Sequence, residues 1–202
     1  MKNLIIKKNS FPFVIFYTLF AIGINYCGSI LAETIVFPLY LDSVLSISVV
    51  ALCGYIPGVI CALGSNVLLS IFTQSTYLFS ICHVMTVTFA WLVFNFHNKK
   101  TDKSYTLDCF LWASFWAALS NGIVGNMIAD LVFAGNTGRP SANIVIQGIY
   151  GAVPNLTFAN HFGGMLENIA DKTLSACLSY GLYKLVLYIR KRKSRSLQKD
   201  SD

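Results

Sequence analysis

Seven side chains carry the polar chemistry most out of place in this 202-residue chain: Asp42, Asn66, Asn121, Asn126, Asp130, Asn168 and Asp171. Each lies inside or at the rim of an apolar stretch, where ionisable and amide groups are costly and mark candidate ligand contacts. Carboxylates and carboxamides in such places bind by charge and hydrogen bond. No nucleophile–base or metal set accompanies them in the sequence. No Ser with a helix-spaced His, no H-E-x-x-H, no G-x-x-x-x-G-K-[ST] and no G-x-S-x-G occurs. The six cysteines (Cys27, Cys53, Cys61, Cys82, Cys109 and Cys177) form no C-x-x-C, and all sit within or at the start of apolar stretches. They read as small buried hydrophobes, not as metal ligands. The pattern predicts binding rather than catalysis, with no metal and no cofactor.

Each of these residues also has a structural reading. Asp42 follows Pro38 and precedes Ser43, so it either caps a helix or contacts a ligand. Gly54, Gly58 and Ala62 recur every four residues up to Asn66, a small-residue stripe that lets helices approach closely. Asn121, Gly125 and Asp130 fall near one helical face with Asn126 beside it, which reads equally as interhelical glue or as pocket lining. Glu167 and Asp171 are four apart, so they share a face and repel unless a donor or cation lies between them. Asp171 and Lys172 alternatively form a local surface pair. His83, alone in an apolar stretch, reads as a core residue.

The elements that must position these groups are set by composition. Hydrophobic residues make up 55% and charged residues 12% of the chain, with a mean hydropathy of +0.60. Soluble domains carry about 25% charged residues. Apolar blocks at 11–32, 41–53, 56–72, 77–96, 107–134 and 164–189 approach the roughly 20 residues a helix needs to cross a bilayer, although the second is short. A weaker stretch, 142–158, carries Gln147, Pro154 and Asn155 and reads as part of a long outer loop, 135–161.

Charge orients the blocks. The net charge is +6, and the cations gather at Lys2–Lys8, at Lys99, Lys100 and Lys103, and from Arg190 to Lys199. They flank apolar blocks instead of forming a basic face with aromatic platforms, so the chain is not read as a nucleic-acid binder. Basic loops stay inside. That places four crossings before the 97–104 loop and two after it. The prediction is an all-α membrane protein with six transmembrane helices and both termini cytoplasmic. It comprises a basic tail over 1–10, a membrane domain over 11–190 and a second basic tail over 191–202 that meets membrane lipids. The first block is too long for a signal peptide, and Ile30 stands where a small residue is wanted before a cut at Ala32. It is read as a retained helix in a multi-pass protein of the plasma membrane.

The stretch from Phe37 to Asn66 carries a resemblance. It contains Pro38, Leu41-Asp42-Ser43, Gly54, Pro57-Gly58 and Asn66. This resembles the substrate-binding S component of energy-coupling factor (ECF) transporters, importers of vitamins and other micronutrients. Asp171-Lys172 in the last block is similar to that family's final helix. The family's Ala-x-x-x-Ala docking face on the first helix has only Ala21/Asn25 and Gly23/Cys27 as counterparts here.

The resemblance implies a non-enzymatic subunit that binds a vitamin-like small molecule from outside. It also implies partnership with a transmembrane coupling subunit and two ATPase subunits. The seven residues named first are the expected substrate contacts, closed over by the 135–161 loop. A membrane ligand sensor and an independent secondary carrier of the same fold are the alternatives.

Overall fold

The computed structural model describes residues 10–73, 77–100, 104–133 and 140–199, with backbone alone at 99–100, 140–142 and 194–199. Among the described residues every regular element is helical: α1 (Phe11–Thr34), α2 (Ser46–Cys53), α3 (Tyr55–Phe72), α4 (Ser80–Lys100, preceded by a 3-10 turn at Tyr77–Phe79), α5 (Leu107–Phe133), α6 (Pro140–Ala152) and α7 (Leu156–Lys199). Four helical segments are long and apolar enough to cross a membrane: Phe11–Thr34, Tyr55–Phe72, Tyr77–Asn98 and Leu107–Phe133. At 1.5 Å per residue they are about 27 to 40 Å long. Their outward faces are apolar, with Phe16, Leu19, Ile60, Leu92, Trp112 and Ile123 all exposed. Such a surface needs lipid to cover it. The chain is an all-α membrane protein.

The second predicted block is shorter as a helix than expected. α2 covers only its last eight residues. Residues 41–45 are irregular because side chains take two of their backbone N–H groups. Leu41 N donates to Asp171 Oδ1 at 2.7 Å, and Leu45 N to Asn25 Oδ1 at 2.9 Å. Leu41 itself is left-handed, φ 47°, a conformation that costs a non-glycine residue about 1–3 kcal/mol. Protein surrounds this non-helical backbone and takes up its polar groups. Ser43, Ser46, Ile47, Ser48 and Val49 are fully buried.

Gly54, at φ 97°, turns α2 directly into α3. Gly58 then lets the two helices touch: a Cβ there would lie 2.6 Å from Val50 Cγ2. The small-residue stripe thus seats α2 on α3.

The weak stretch over 142–158 forms α6, whose thirteen residues reach only about 20 Å, packed on α7. α7 begins at Leu156, eight residues before the expected start. Asn155 supplies the reason: its Oδ1 accepts from Phe158 N at 3.0 Å, an N-cap. Gly163 and Gly164 lie inside the helix, where they admit close neighbours: Cβ atoms there would crowd Ile146 of α6 and Asn126 of α5. The basic stretch after Ile189 continues α7 to Lys199 instead of leaving it as a loose tail.

At one end of the bundle Phe94, Tyr105, Phe110 and Tyr183 pack with ring centroids 4.4 to 5.8 Å apart. There the Arg190 guanidinium lies 4.2 Å over the Phe13 ring, which brings the start of α1 to the late part of α7. The opposite end holds the polar residues.

Candidate functional site

The polar end encloses a small cavity of about 60 Å³. Five of the seven expected contacts line it: Asp42, Asn66, Asn121, Asn126 and Asn168. They come from the 35–45 segment, α3, α5 and α7. The other two are placed differently. Asp130 faces His161 at 3.2 Å, with both side chains about half exposed. Asp171 stands behind the wall, fully buried. The 135–161 closing loop lies partly outside the described residues, as do Gln74, Asn136 and Arg139.

Asp42 does not cap α2, whose N-cap position is Leu45. It pairs with Lys172 across 130 residues of chain, Nζ to Oδ1 at 3.2 Å. Lys172 also donates to Asp171 Oδ2 at 2.7 Å and to Ser43 Oγ at 2.8 Å. The surface-pair reading of Asp171-Lys172 is therefore wrong, since the two residues are 0% and 3% exposed. A buried ammonium holds its charge when all three hydrogens meet acceptors, and here they do. Glu167 is relieved of repulsion from Asp171 by separate donors. Tyr40 Oη gives its hydrogen to Glu167 Oε2 at 3.0 Å, while Leu41 N and Lys172 serve Asp171.

His83, expected to be a core residue, lies on the cavity wall and is fully engaged. Asn66 Nδ2 donates to Ala62 O at 3.0 Å and to His83 Nδ1 at 2.8 Å. Nδ1 is thus the acceptor, so the hydrogen resides on Nε2 and is donated to Ser46 Oγ at 2.5 Å. The neutral ring bridges α2 and α3. Ser46 Oγ also accepts from Asn25 Nδ2 at 2.9 Å, extending the network to α1.

The remaining wall is mixed. Tyr40, Leu69, Phe79, Cys82 and Ala129 add apolar surface. Asn126 Nδ2 donates to His161 O at 3.0 Å, joining α5 to α7 at the rim. Among the described residues no group of three or more His, Cys, Asp or Glu gathers to hold a metal ion.

The sequence reading missed Lys172, His83 and Tyr40 as wall residues. Lys172 had one signal, being a cation well inside the last apolar block, whose other cation, Lys184, lies near the block's end. His83 and Tyr40 had none, because their partners lie 17 and 127 residues away.

A second hollow, about 890 Å³, opens outward between α4 and α5. Phe89, Leu92, Trp112 and Trp116 line it, and His97 Nδ1 meets Cys109 Sγ there at 3.2 Å. It is continuous with the apolar exterior.

What this geometry can do is hold a small polar molecule at fixed angles. No family model, curated protein or solved structure matches the chain.

Proposed function

We propose that the chain is the substrate-capture subunit of an ECF-type importer for a vitamin-like micronutrient. The observation that carries this reading is a cavity of mixed lining at one end of an otherwise apolar bundle, lined by five of the seven residues that stand out in the sequence as polar groups within apolar stretches. The resemblance around Asp42, Pro57-Gly58 and Asn66 supports it. In this reading the 41–53 segment completes a sixth crossing as a broken helix, α7 is the last crossing, and both termini are cytoplasmic at the plasma membrane. The cavity end then faces outside, and the aromatic end faces the coupling subunit and its two ATPases.

Ligand pockets for small molecules run to about 300–1,000 Å³, so the cavity of about 60 Å³ must widen to admit a vitamin-sized ligand.

Mass spectrometry of small molecules released from the detergent-purified protein tests the reading. One stoichiometric micronutrient is expected, with uptake in vesicles only when the energising subunits are present. An empty protein, or uptake driven by an ion gradient alone, would sink it.

A further inference from the structure

Asn121 is 2% exposed on the cavity wall, and its Oδ1 is buried with no hydrogen-bond donor. Its orientation is fixed by its neighbours. Asn121 Nδ2 donates to Thr86 Oγ1 at 2.9 Å, and Thr86 Oγ1 donates to Cys82 O at 3.1 Å. The Thr86 hydrogen is therefore committed, and the reversed amide would press a carbonyl oxygen against a hydroxyl with nothing to give. Native interiors rarely keep such an acceptor without a purpose.

The strongest donors of the described wall are committed as well. Lys172 gives its hydrogens to Asp42, Ser43 and Asp171. Asn66 gives both amide hydrogens to Ala62 O and His83 Nδ1. The one ring hydrogen of His83 goes to Ser46. A carboxylate or phosphate entering here would find no uncommitted ammonium or imidazolium hydrogen among the described residues. The Asn121 oxygen and the Asp42 carboxylate on the same wall would oppose it, with only the second amide hydrogens of Asn121, Asn126 and Asn168 set against them.

We infer that the cavity selects a nitrogenous ligand, an amine, amidine or guanidine, that presents N–H donors to Asn121 Oδ1, and that it rejects carboxylates and phosphates. This rests on the capture reading above and adds the ligand class to it. A site built to pair one polar group discriminates strongly against an analogue of reversed polarity.

Three probes of one shape test it on the detergent-purified full-length protein: benzamidinium, benzamide and benzoate. Their dissociation constants are compared by calorimetry and by protection against heating. The expected order of affinity is benzamidinium, benzamide, benzoate, spanning about tenfold or more. Asn121→Leu should remove that span while leaving the unfolding temperature of the empty protein unchanged or raised, since it deletes an unmatched acceptor.

Benzoate binding as tightly as benzamidinium would overturn the ligand class. So would an Asn121→Leu protein that preserves the span, or a co-purifying carboxylate or phosphate compound. In the last case the capture reading stands. If no probe binds and no small molecule co-purifies, the capture reading itself fails and the ligand class falls with it.

Discussion

Around Phe94, Tyr105, Phe110 and Tyr183 the helices meet chiefly through ring faces and edges, with Tyr105 N donating to Tyr183 Oη at 3.2 Å and Asn98 Nδ2 donating to Tyr105 Oη at 2.7 Å among them. Around Asp42, Asn66, His83, Asp171 and Lys172 they meet through directed hydrogen bonds and ion pairs instead. The two ends belong to the same helices but are held by different physics. Rings fill volume, and dense filling leaves few voids. Hydrogen bonds fix angles and distances, so the polar end gives up dense filling for directed contacts and retains the cavity. The strain at Leu41 is also stored there, held by Asp171. An end that keeps space and strain is suited to change when a ligand arrives, and the ring-packed end is suited to stay as it is.

The largest test of that contrast is Lys172→Met. It leaves Asp171 buried without its cation, and breaking a buried pair costs about 3–5 kcal/mol. Heating monitored by size-exclusion chromatography should show most of the folded protein lost. The double variant Asp171→Asn with Lys172→Met should recover part of it, because no uncompensated charge remains at that pair. A single variant as stable as the parent would show that the polar end is not held by this pair.

Phe110→Ala attacks the opposite end. Truncating a fully buried ring costs about 3–5 kcal/mol, at the lower part of that range if lipid or neighbouring rings fill the gap. Ligand affinity of the folded fraction should stay within about twofold, since distant sites act independently. A large affinity loss would mean that the two ends are coupled.

His83→Leu should cost about 1–3 kcal/mol, because Ser46 and Asn66 lose a partner on the same ring. Unlike Phe110→Ala, it should weaken ligand binding as well as stability. Equal affinity in parent and variant would remove the His83 bridge from the site.

Asp130→Asn is the mildest change. The Asp130–His161 pair is half exposed, and such pairs contribute about 0–1 kcal/mol. Stability and affinity should both stay near the parent values. A strong loss of binding would place Asp130 back among the ligand contacts.

The apolar blocks were legible because lipid-facing helices carry their signal locally, in length and hydropathy. Their ends were less so. Asn155 caps α7 well before the glycines that looked like its start, and Leu41 breaks the second block by taking a left-handed turn that hydropathy does not register. Within the site, Asn121 and Asn126 were legible because helical spacing puts them near one face. Asp130, four residues beyond Asn126 and nine beyond Asn121, falls near that face by periodicity yet turns to His161 at the rim. Asp171 was named as a contact but acts one layer back, orienting Lys172 and holding Leu41 N.

What the sequence by itself determined is the class of protein and the side chains with no apolar reason to be where they are. Both follow from transfer energies that each residue carries with it. What only the tertiary structure decided is which of those side chains share one cavity and which atoms are left facing into it. Asp42 and Lys172 stand 130 positions apart, and Tyr40 and Glu167 stand 127 apart. A helical period of 3.6 residues says nothing about pairs at that distance. They meet because of the order, depth and rotation of whole helices, which are fixed by packing.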